Sequence, residues 1–151
     1  MVSNTESIDI IRIPSNKIID VFPLVKKEIN LSLKKQDNGY DVDNILQELQ
    51  EDLLTMWIAW DIKNNKHIGI VIGQIYKRPK FKVFSIFMVL GKDREKWQHL
   101  AQKKTEDFAL ENDCHKCVHP ARKGWSKIFK KHDYKETHVV LEKTLIKKER
   151  T

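Results

Sequence analysis

The chain is poor in the features that mark secreted and membrane-spanning proteins. It has two cysteines in 151 residues, which are too few for a disulfide framework and favour a reducing compartment. No segment approaches the roughly 20 consecutive apolar residues that a membrane-spanning helix needs. The N-terminal residues MVSNTESIDI lack the basic and apolar regions of a signal peptide. We therefore expect a cytoplasmic protein without a membrane segment.

Several common catalytic and metal-binding patterns are also missing from the sequence. No serine lies in a nucleophile elbow, and no lysine lies in a phosphate-loop motif. The segment from Cys114 to His119 has four potential zinc ligands, but neighbouring ligands on a strand face opposite ways, and no second knuckle follows. Val118 also stands where the haem-attachment pattern needs histidine. We expect no metal site, and the two cysteines read as small buried residues of a strand.

The composition is that of a globular protein whose charge is unevenly placed. Apolar residues make up 40% and charges are interspersed, without repeats or linkers, so we expect one domain over residues 1–151. Met1–Cys114 carries 17 basic and 17 acidic residues, whereas His115–Thr151 carries 11 basic and 4 acidic ones. This basic C-terminal quarter favours an acidic partner, such as a phosphorylated cofactor, a nucleic acid or an acidic protein. The alternative is a solvated basic face that aids solubility.

The centre of the chain reads as a strand, a helix and a second strand. Phe81–Leu90 (FKVFSIFMVL) is apolar on both faces, as in a strand buried inside a sheet. Gly91 ends that run, and the helical apolar spacing of Asp93–Asn112 predicts an amphipathic helix with Asp93 as its cap. Cys114–Val118 is short enough for the second strand. This crossover places a helix N-terminus at the carboxyl end of an interior strand, a position that favours an anion.

The rest of the chain supplies further strands and helices of a mixed sheet. Alternating or helical apolar spacing predicts strands at Ile8–Ile13, Thr55–Asp61, His67–Tyr76 and Tyr134–Leu145, and helices at Ile18–Leu33, after a cap at Asp41 or Asp43, and at Arg122–His132. The order is β-α-α-β-β-β-α-β-α-β, which predicts an α/β fold with a mixed central sheet flanked by helices.

This order and several short segments resemble the GNAT superfamily of acyl-coenzyme-A N-acyltransferases, and within it small phage-encoded GNAT-like proteins. The segments are WIAWD at Trp57–Asp61, Trp97, Asn112-Asp113-Cys114, Arg122-Lys123-Gly124-Trp125, His132-Asp133-Tyr134 and VVLEKTL at Val139–Leu145. The resemblance implies the GNAT fold and transfer of an acetyl group from acetyl-coenzyme A, with coenzyme A as the product. The acceptor would be an unknown amine or protein. A phage-encoded protein would work in the cytoplasm of its bacterial host.

The resemblance also implies where the cofactor binds. In the family, the carboxyl end of the central strand and the following helix N-terminus hold the cofactor pyrophosphate through backbone N–H groups. The implied cofactor-binding residues are Leu90, Gly91, Lys92, Arg94 and Lys96, with Arg122 and Lys123 on the basic helix meeting the adenosine phosphates. The glycine-containing loop of the family falls at Asp93–Gln98, where this sequence reads DREKWQ. Side chains such as Arg94 and Lys96 would then contact phosphate directly.

The catalytic residues of the family have fewer counterparts in this sequence than the cofactor-binding residues have. The family often uses a glutamate on the central strands as base and a tyrosine of the last helix as acid. The central strand offers only Ser85 as an uncharged polar group, and Phe129 stands five residues before Tyr134, where the tyrosine is expected. Ser85 and Tyr134 are thus the candidate catalytic residues. Two alternatives remain open: a catalytically inactive GNAT-fold protein that binds a host or virion partner, and a basic nucleic-acid-binding protein.

Overall fold

The computed structural model describes residues 7–35, 38–121 and 125–146, and the chain divides into two compact units, Met1–Pro120 and Ala121–Thr151. The first unit contains β1 (Ile8–Ile13), a 3-10 helix (Ser15–Lys17), α1 (Ile18–Lys35), α2 (Val42–Gln50), β2 (Thr55–Asp61), β3 (Lys66–Lys77), β4 (Lys82–Gly91), α3 (Arg94–Glu111) and β5 (Cys114–Val118). The second contains α4 (Ser126–Lys130). The predicted fold class is confirmed, whereas a single domain over residues 1–151 stays a prediction. None of the described helices is long and apolar enough to cross a membrane.

The sheet has five strands in the order β1-β2-β3-β4-β5. The first three pairings are antiparallel, and the last, between β4 and β5, is parallel. Helix α3 makes the crossover that a parallel pair requires. The prediction of an interior strand at Phe81–Leu90, parallel to Cys114–Val118, is therefore confirmed.

Helices α1 and α2 cover one face of the sheet, and α3 packs against the other. The α1 stripe predicted from helical spacing is buried throughout: Ile18, Phe22, Val25, Ile29 and Leu33. On the α3 face the ring of Trp57 lies 5.8 Å from that of Phe84 and 5.1 Å from that of Phe108. Trp60, three residues further along β2, packs with the α1–α2 core, as alternation along a strand requires.

Helix α2 begins with a capping box. The Asp41 carboxylate accepts a hydrogen bond from the Asn44 backbone N–H (2.8 Å), and the Asn44 side-chain oxygen accepts one from the Asp41 N–H (3.0 Å). The sequence left Asp41 and Asp43 open as caps, and the structure selects Asp41.

We expect Asp41→Ala to lower the free energy of unfolding by about 1 kcal/mol, because the Asn44 backbone N–H at the start of α2 loses its side-chain acceptor. Asp43→Ala is the matched control, since it removes an exposed acidic residue from the same first turn without touching the cap. Urea denaturation measures both variants. Equal losses would show that the charge near the helix start, and not the cap, stabilises α2.

The predicted strand Tyr134–Leu145 is wrong, because residues 134–146 form no strand. A strand exists only where a partner supplies backbone hydrogen bonds, and alternation alone does not provide one. Several apolar side chains of this segment are instead 75–91% exposed: Val139, Val140, Leu141, Leu145 and Ile146. The preceding helix ends at Lys130, two residues before the predicted end at His132. It ends where Asp133 adopts a left-handed conformation (φ 66°) and the Tyr134 N–H donates to the Phe129 carbonyl (3.2 Å).

Candidate functional site

Strand β4 is paired on both sides along only part of its length. β5 pairs with it from Lys82 to Ser85, whereas β4 continues to Gly91. Among the described strands, none pairs with the β5-facing edge of β4 beyond Ser85. A bulge at Phe87 lies in this half, because Gly73 faces Ile86 while the neighbouring residue of β3 faces Met88. The carboxyl-terminal half of β4 thus presents backbone donors and acceptors to any extended group lying beside it.

Gly91 ends β4 in a close turn against β3. Its φ of 138° is open only to glycine, and a Cβ at this position would lie 2.3 Å from the Ile68 carbonyl oxygen. The next residue fixes the turn, since the Lys92 N–H donates to the same carbonyl at 2.9 Å. The family resemblance placed Gly91 in the cofactor site, and the structure places it at the junction of the unpaired edge and α3.

Trp97 holds this turn from inside the protein. Its side chain is fully buried (0% exposed), and its Nε1–H donates to the Lys92 carbonyl at 2.7 Å. Its ring occupies the space beside Gly69, where an added Cβ would lie 2.3 Å from a ring carbon. The strand-to-helix turn is therefore packed around an indole ring.

Helix α3 begins at Arg94, one residue after the predicted start, and Asp93 occupies the N-cap position. The prediction that the Asp93 side chain caps the helix is wrong, because no side-chain cap hydrogen bond forms. Capping needs an extended N-cap backbone, whereas Asp93 is left-handed with φ 53° and ψ 43°. The first turn consequently keeps backbone donors that its cap does not satisfy, together with the positive end of the helix dipole.

Three cations surround the start of α3. Lys92 and Lys96 are exposed, whereas Arg94 is partly buried, and burial lowers the pKa of its guanidinium. Leu90, at the end of β4, packs against the α1–α2 core. The structure thus brings five of the predicted cofactor-binding residues to one turn. Arg122 and Lys123 lie outside the described residues.

The two catalytic candidates lie in different units of the chain. Ser85 is 7% exposed and is the last residue of β4 opposite β5, where it pairs with Val118. Phe84 faces α3, so alternation points Ser85 towards the α1–α2 face. Tyr134 is half-buried in the second unit, with its ring 5.1 Å from that of Phe129.

Two residues near the bulge of β4 were missed by the sequence reasoning. The Tyr40 ring, in the loop before α2, lies 4.9 Å from the Phe87 ring in an edge-to-face contact. Burial, followed by the charge of Glu48 and a hydrogen bond to it, raises the pKa of Tyr40. No pattern in the sequence indicates this meeting, because Tyr40 and Phe87 are far apart in the chain and the bulge carries no sequence signal.

Helix α3 also buries two amide side chains. Gln98 is 8% and Gln102 is 5% exposed, and both are on the side of α3 that packs inward. Gln98 Nε2 and both amide atoms of Gln102 have no hydrogen-bond partner within residues 7–35, 38–121 and 125–146. In the sequence, the four-residue spacing of Gln98 and Gln102 beside the apolar stripe of α3 could have indicated that both amides face inward. Buried amide groups in proteins normally have hydrogen-bond partners.

The end of β5 carries titratable groups of a different kind. Burial lowers the pKa of His119 to about 4, so its imidazole is neutral at pH 7. Cys114 is buried and Cys117 partly buried, and neither is in a disulfide bond. Desolvation, opposed by the nearby Lys82, raises the pKa of Cys114. In the part of the chain that the structure describes, no three His, Cys, Asp or Glu side chains form a metal-binding group.

Comparison with known proteins gives matches only at the level of structure. No family model matches the chain, and no curated protein matches it. An aminoglycoside acetyltransferase, meta-AAC0020 from an uncultured soil metagenomic sample in complex with sisomicin, superposes with a TM-score of 0.68 at 14% identity. The match covers 95% of this chain and 100% of that one.

Two further structures are similar. Aminoglycoside acetyltransferase HMB0005, also from uncultured soil, has a TM-score of 0.70 at 10% identity, covering 93% of this chain and 99% of that one. A predicted acetyltransferase with acetyl-CoA from Clostridium acetobutylicum has a TM-score of 0.62 at 19% identity, covering 91% and 96%. At these identities the likeness concerns the fold, and the chain has the mixed α/β fold of the GNAT-type acetyltransferases.

Proposed function

We propose that the chain is an acetyl-coenzyme-A-dependent N-acetyltransferase with an amine acceptor. The observation that carries this proposal is the β5-facing edge of β4 beyond Ser85, which no described strand pairs and which leads directly into the start of α3. An extended ligand arm with amide groups suits a strand edge, because it makes the hydrogen bonds that a neighbouring strand would make. A diphosphate suits a helix N-terminus with uncapped donors. Acetyl-coenzyme A combines both groups in one molecule.

The residues at this turn fit such a ligand. The backbone of Leu90 and Gly91 would meet the amide-containing arm, and Lys92, Arg94 and Lys96 would meet the phosphates. Arg122 and Lys123 remain proposed contacts to the adenosine phosphates. When bound, the cofactor supplies an acyl thioester, whose carbonyl carbon is open to attack by an amine.

The similar structures support the amine acceptor, because one of them is an aminoglycoside acetyltransferase in complex with sisomicin. The phage-encoded origin and the cytoplasmic location stay predictions from the sequence.

A second candidate is a GNAT-fold protein without catalysis that binds a macromolecular partner. It is favoured by the buried position of Ser85, the only uncharged polar residue of the central strand, and by the lack of glycine in DREKWQ. An acidic partner would then meet the basic C-terminal quarter, and nucleic acid is one form of it. Binding measurements with acetyl-coenzyme A, coenzyme A and double-stranded DNA distinguish the two candidate functions.

We expect the native chain to bind coenzyme A, and Arg94→Ala/Lys96→Ala to bind it more than tenfold more weakly, because two charge-assisted contacts to phosphate are lost. Added salt should weaken binding further. Isothermal titration measures both effects. The matched control is Lys103→Ala/Lys104→Ala, which removes two exposed cations from the same helix, away from its start.

The increase in melting temperature caused by coenzyme A measures the same binding independently. A ligand that binds only the folded state stabilises it by about 2.7 kcal/mol at 100 times its dissociation constant. If the native chain shows no stabilisation by coenzyme A or acetyl-coenzyme A at millimolar concentration, the enzyme proposal is wrong. Stabilisation by DNA alone would favour the binding protein.

A further inference from the structure

The turn between β3 and β4 carries a dense group of cations. Tyr76–Lys82 reads YKRPKFK, in which four of the seven residues are basic. No aspartate or glutamate occurs from Ile62 to Lys92, so no acidic residue of either strand offsets this charge. Lys82 and Gly91 are the two ends of β4, about 30 Å apart at roughly 3.3 Å per residue. This turn is therefore separate from the proposed cofactor turn.

Strand β5 adds one more cation beside this turn, because its parallel pairing with the start of β4 brings Lys116 there. The Lys116 ammonium nitrogen lies 4.7 Å from the centre of the Phe81 ring, and the Arg78 guanidinium carbon lies 5.2 Å from the centre of the Tyr76 ring. Both rings are half-buried, and each has a cation over it. The hairpin patch is the set of these cations and rings: Tyr76, Lys77, Arg78, Lys80, Phe81, Lys82 and Lys116.

The positive charge of the hairpin patch is not neutralised within the described residues. None of their salt bridges involves its cations, and Asp113, the acidic residue just before β5, forms none with them. Lys77 and Lys82 face each other directly across the β3–β4 pair, and like charges at such positions are unfavourable. The Lys82 ammonium donates to a backbone carbonyl, that of Asn112, at 3.0 Å. Charge concentrated in this way suits a polyanion.

The turn holds these groups in a fixed arrangement. The Arg78 N–H donates to the Phe81 carbonyl at 2.8 Å, which closes the turn, and the ring of Pro79 fixes one of its backbone angles. Lys77, Arg78 and Lys80 are exposed. Ammonium groups contact phosphates, and the planar guanidinium of arginine accepts a stacked base. The arrangement therefore fits a single-stranded nucleic acid better than an acidic protein, which offers carboxylates but no planar bases.

We infer that the hairpin patch binds single-stranded nucleic acid, with its ammonium groups on the phosphates and a base stacked on the Arg78 guanidinium. This binding surface is additional to the proposed cofactor turn and does not rest on acetyl transfer. It also differs from the basic C-terminal quarter, because four of its five cations precede that quarter in the sequence: Lys77, Arg78, Lys80 and Lys82.

The test measures the fluorescence anisotropy of a labelled oligodeoxythymidylate of about 12 nucleotides, a length within the range that small single-strand-binding domains cover. It compares the native chain with Lys77→Ala/Lys80→Ala at several salt concentrations. The matched control is Lys26→Ala/Lys27→Ala, which removes two exposed cations from α1. Both variants have the same net charge, so an effect of net charge alone would be equal in the two.

We expect Lys77→Ala/Lys80→Ala to bind the oligonucleotide about tenfold or more weakly at low salt, because two phosphate contacts are lost. The slope of log affinity against log salt concentration should fall in magnitude by roughly 1.4, about 0.7 for each lost contact. The control variant should stay within about twofold of the native affinity. Since Lys77 and Lys82 repel each other, the double variant should be no less stable to urea than the native chain. Equal affinities for the two variants would overturn the inference, as would failure of the native chain to bind at low salt.

Arg78→Lys tests the stacked base. It keeps the charge but loses the planar guanidinium, so we expect the affinity to fall about threefold or more while the salt slope stays unchanged. An unchanged affinity would show that only charge is recognised, which contradicts the base contact. Polyglutamate serves as the competitor, and if it displaces the labelled strand as well as an unlabelled strand of equal charge does, the partner is an acidic protein and the inference is wrong.

Discussion

Trp97→Ala is expected to lower the free energy of unfolding by about 3–5 kcal/mol, the range for removing a large aromatic side chain from a packed core. The indole is fully buried and fills the space left by Gly69. It also satisfies the Lys92 carbonyl at the strand-to-helix turn. Urea denaturation followed by circular dichroism measures the loss. Trp97→Phe, which keeps most of the packing but lacks the N–H, should lose about 1–3 kcal/mol.

A double-mutant cycle of Gly69 and Trp97 separates the contribution of their packing from general destabilisation. Gly69→Ala should be strongly destabilising in the native chain, because its Cβ would collide with the Trp97 ring. In the Trp97→Ala background the same change should cost little, giving a coupling energy of about 1–3 kcal/mol. If the two changes are additive, the ring does not occupy the space beside Gly69 and the packing described for the turn is incorrect.

Gly91→Ala is expected to cost about 3 kcal/mol or more, since a Cβ there combines an unfavourable backbone region with a collision. The φ of 138° is accessible only to glycine, and the nearest atom to the added Cβ, the Ile68 carbonyl oxygen, belongs to the backbone and cannot rotate away. Because Gly91 lies in the proposed cofactor turn, affinity for coenzyme A should fall as well.

Gly39→Ala is the matched control for this substitution. Gly39 also has a positive φ (82°), but no atom of the described residues lies within 4 Å of the Cβ that would be added. It should cost only the left-handed backbone penalty of about 1–2 kcal/mol. Thermal and urea unfolding compare the two variants. Equal losses would mean that the collision with β3 is absent and that backbone conformation accounts for both effects.

The sequence was sufficient for the elements whose apolar pattern matches their local geometry. β1, β2 and β5 begin and end where alternation or short apolar runs predicted, and the five buried positions of α1 follow from helical spacing alone. The crossover through α3 also followed, because a strand, a long amphipathic helix and a strand have few other arrangements. These features depend on interactions between near neighbours in the chain.

The features that the sequence did not predict depend on partners distant in the chain or on backbone conformation. The prediction of a strand at Tyr134–Leu145 was wrong because alternation in a sequence does not show whether another strand pairs with the segment. Asp93 fails as a side-chain cap because its backbone is left-handed, which the residue type does not reveal. The pairing of Tyr40 with Phe87 needs the β4 bulge, and a bulge is a property of two strands together.

β5 is attached to the sheet over a short length, from Lys82 to Ser85 of β4, whereas β3 and β4 run together from Gly69 to Lys77. The β2–β3 and β3–β4 hairpins have short loops, whereas the whole of α3 separates β5 from β4 in the sequence. Pairing of β5 with β4 therefore closes a longer loop. We therefore expect the meander of β2, β3 and β4 to form early in folding and β5 to be added late. We expect β5 to open locally at low free energy in the folded protein, so the side of β4 that faces the proposed ligand should also open with the least unfolding.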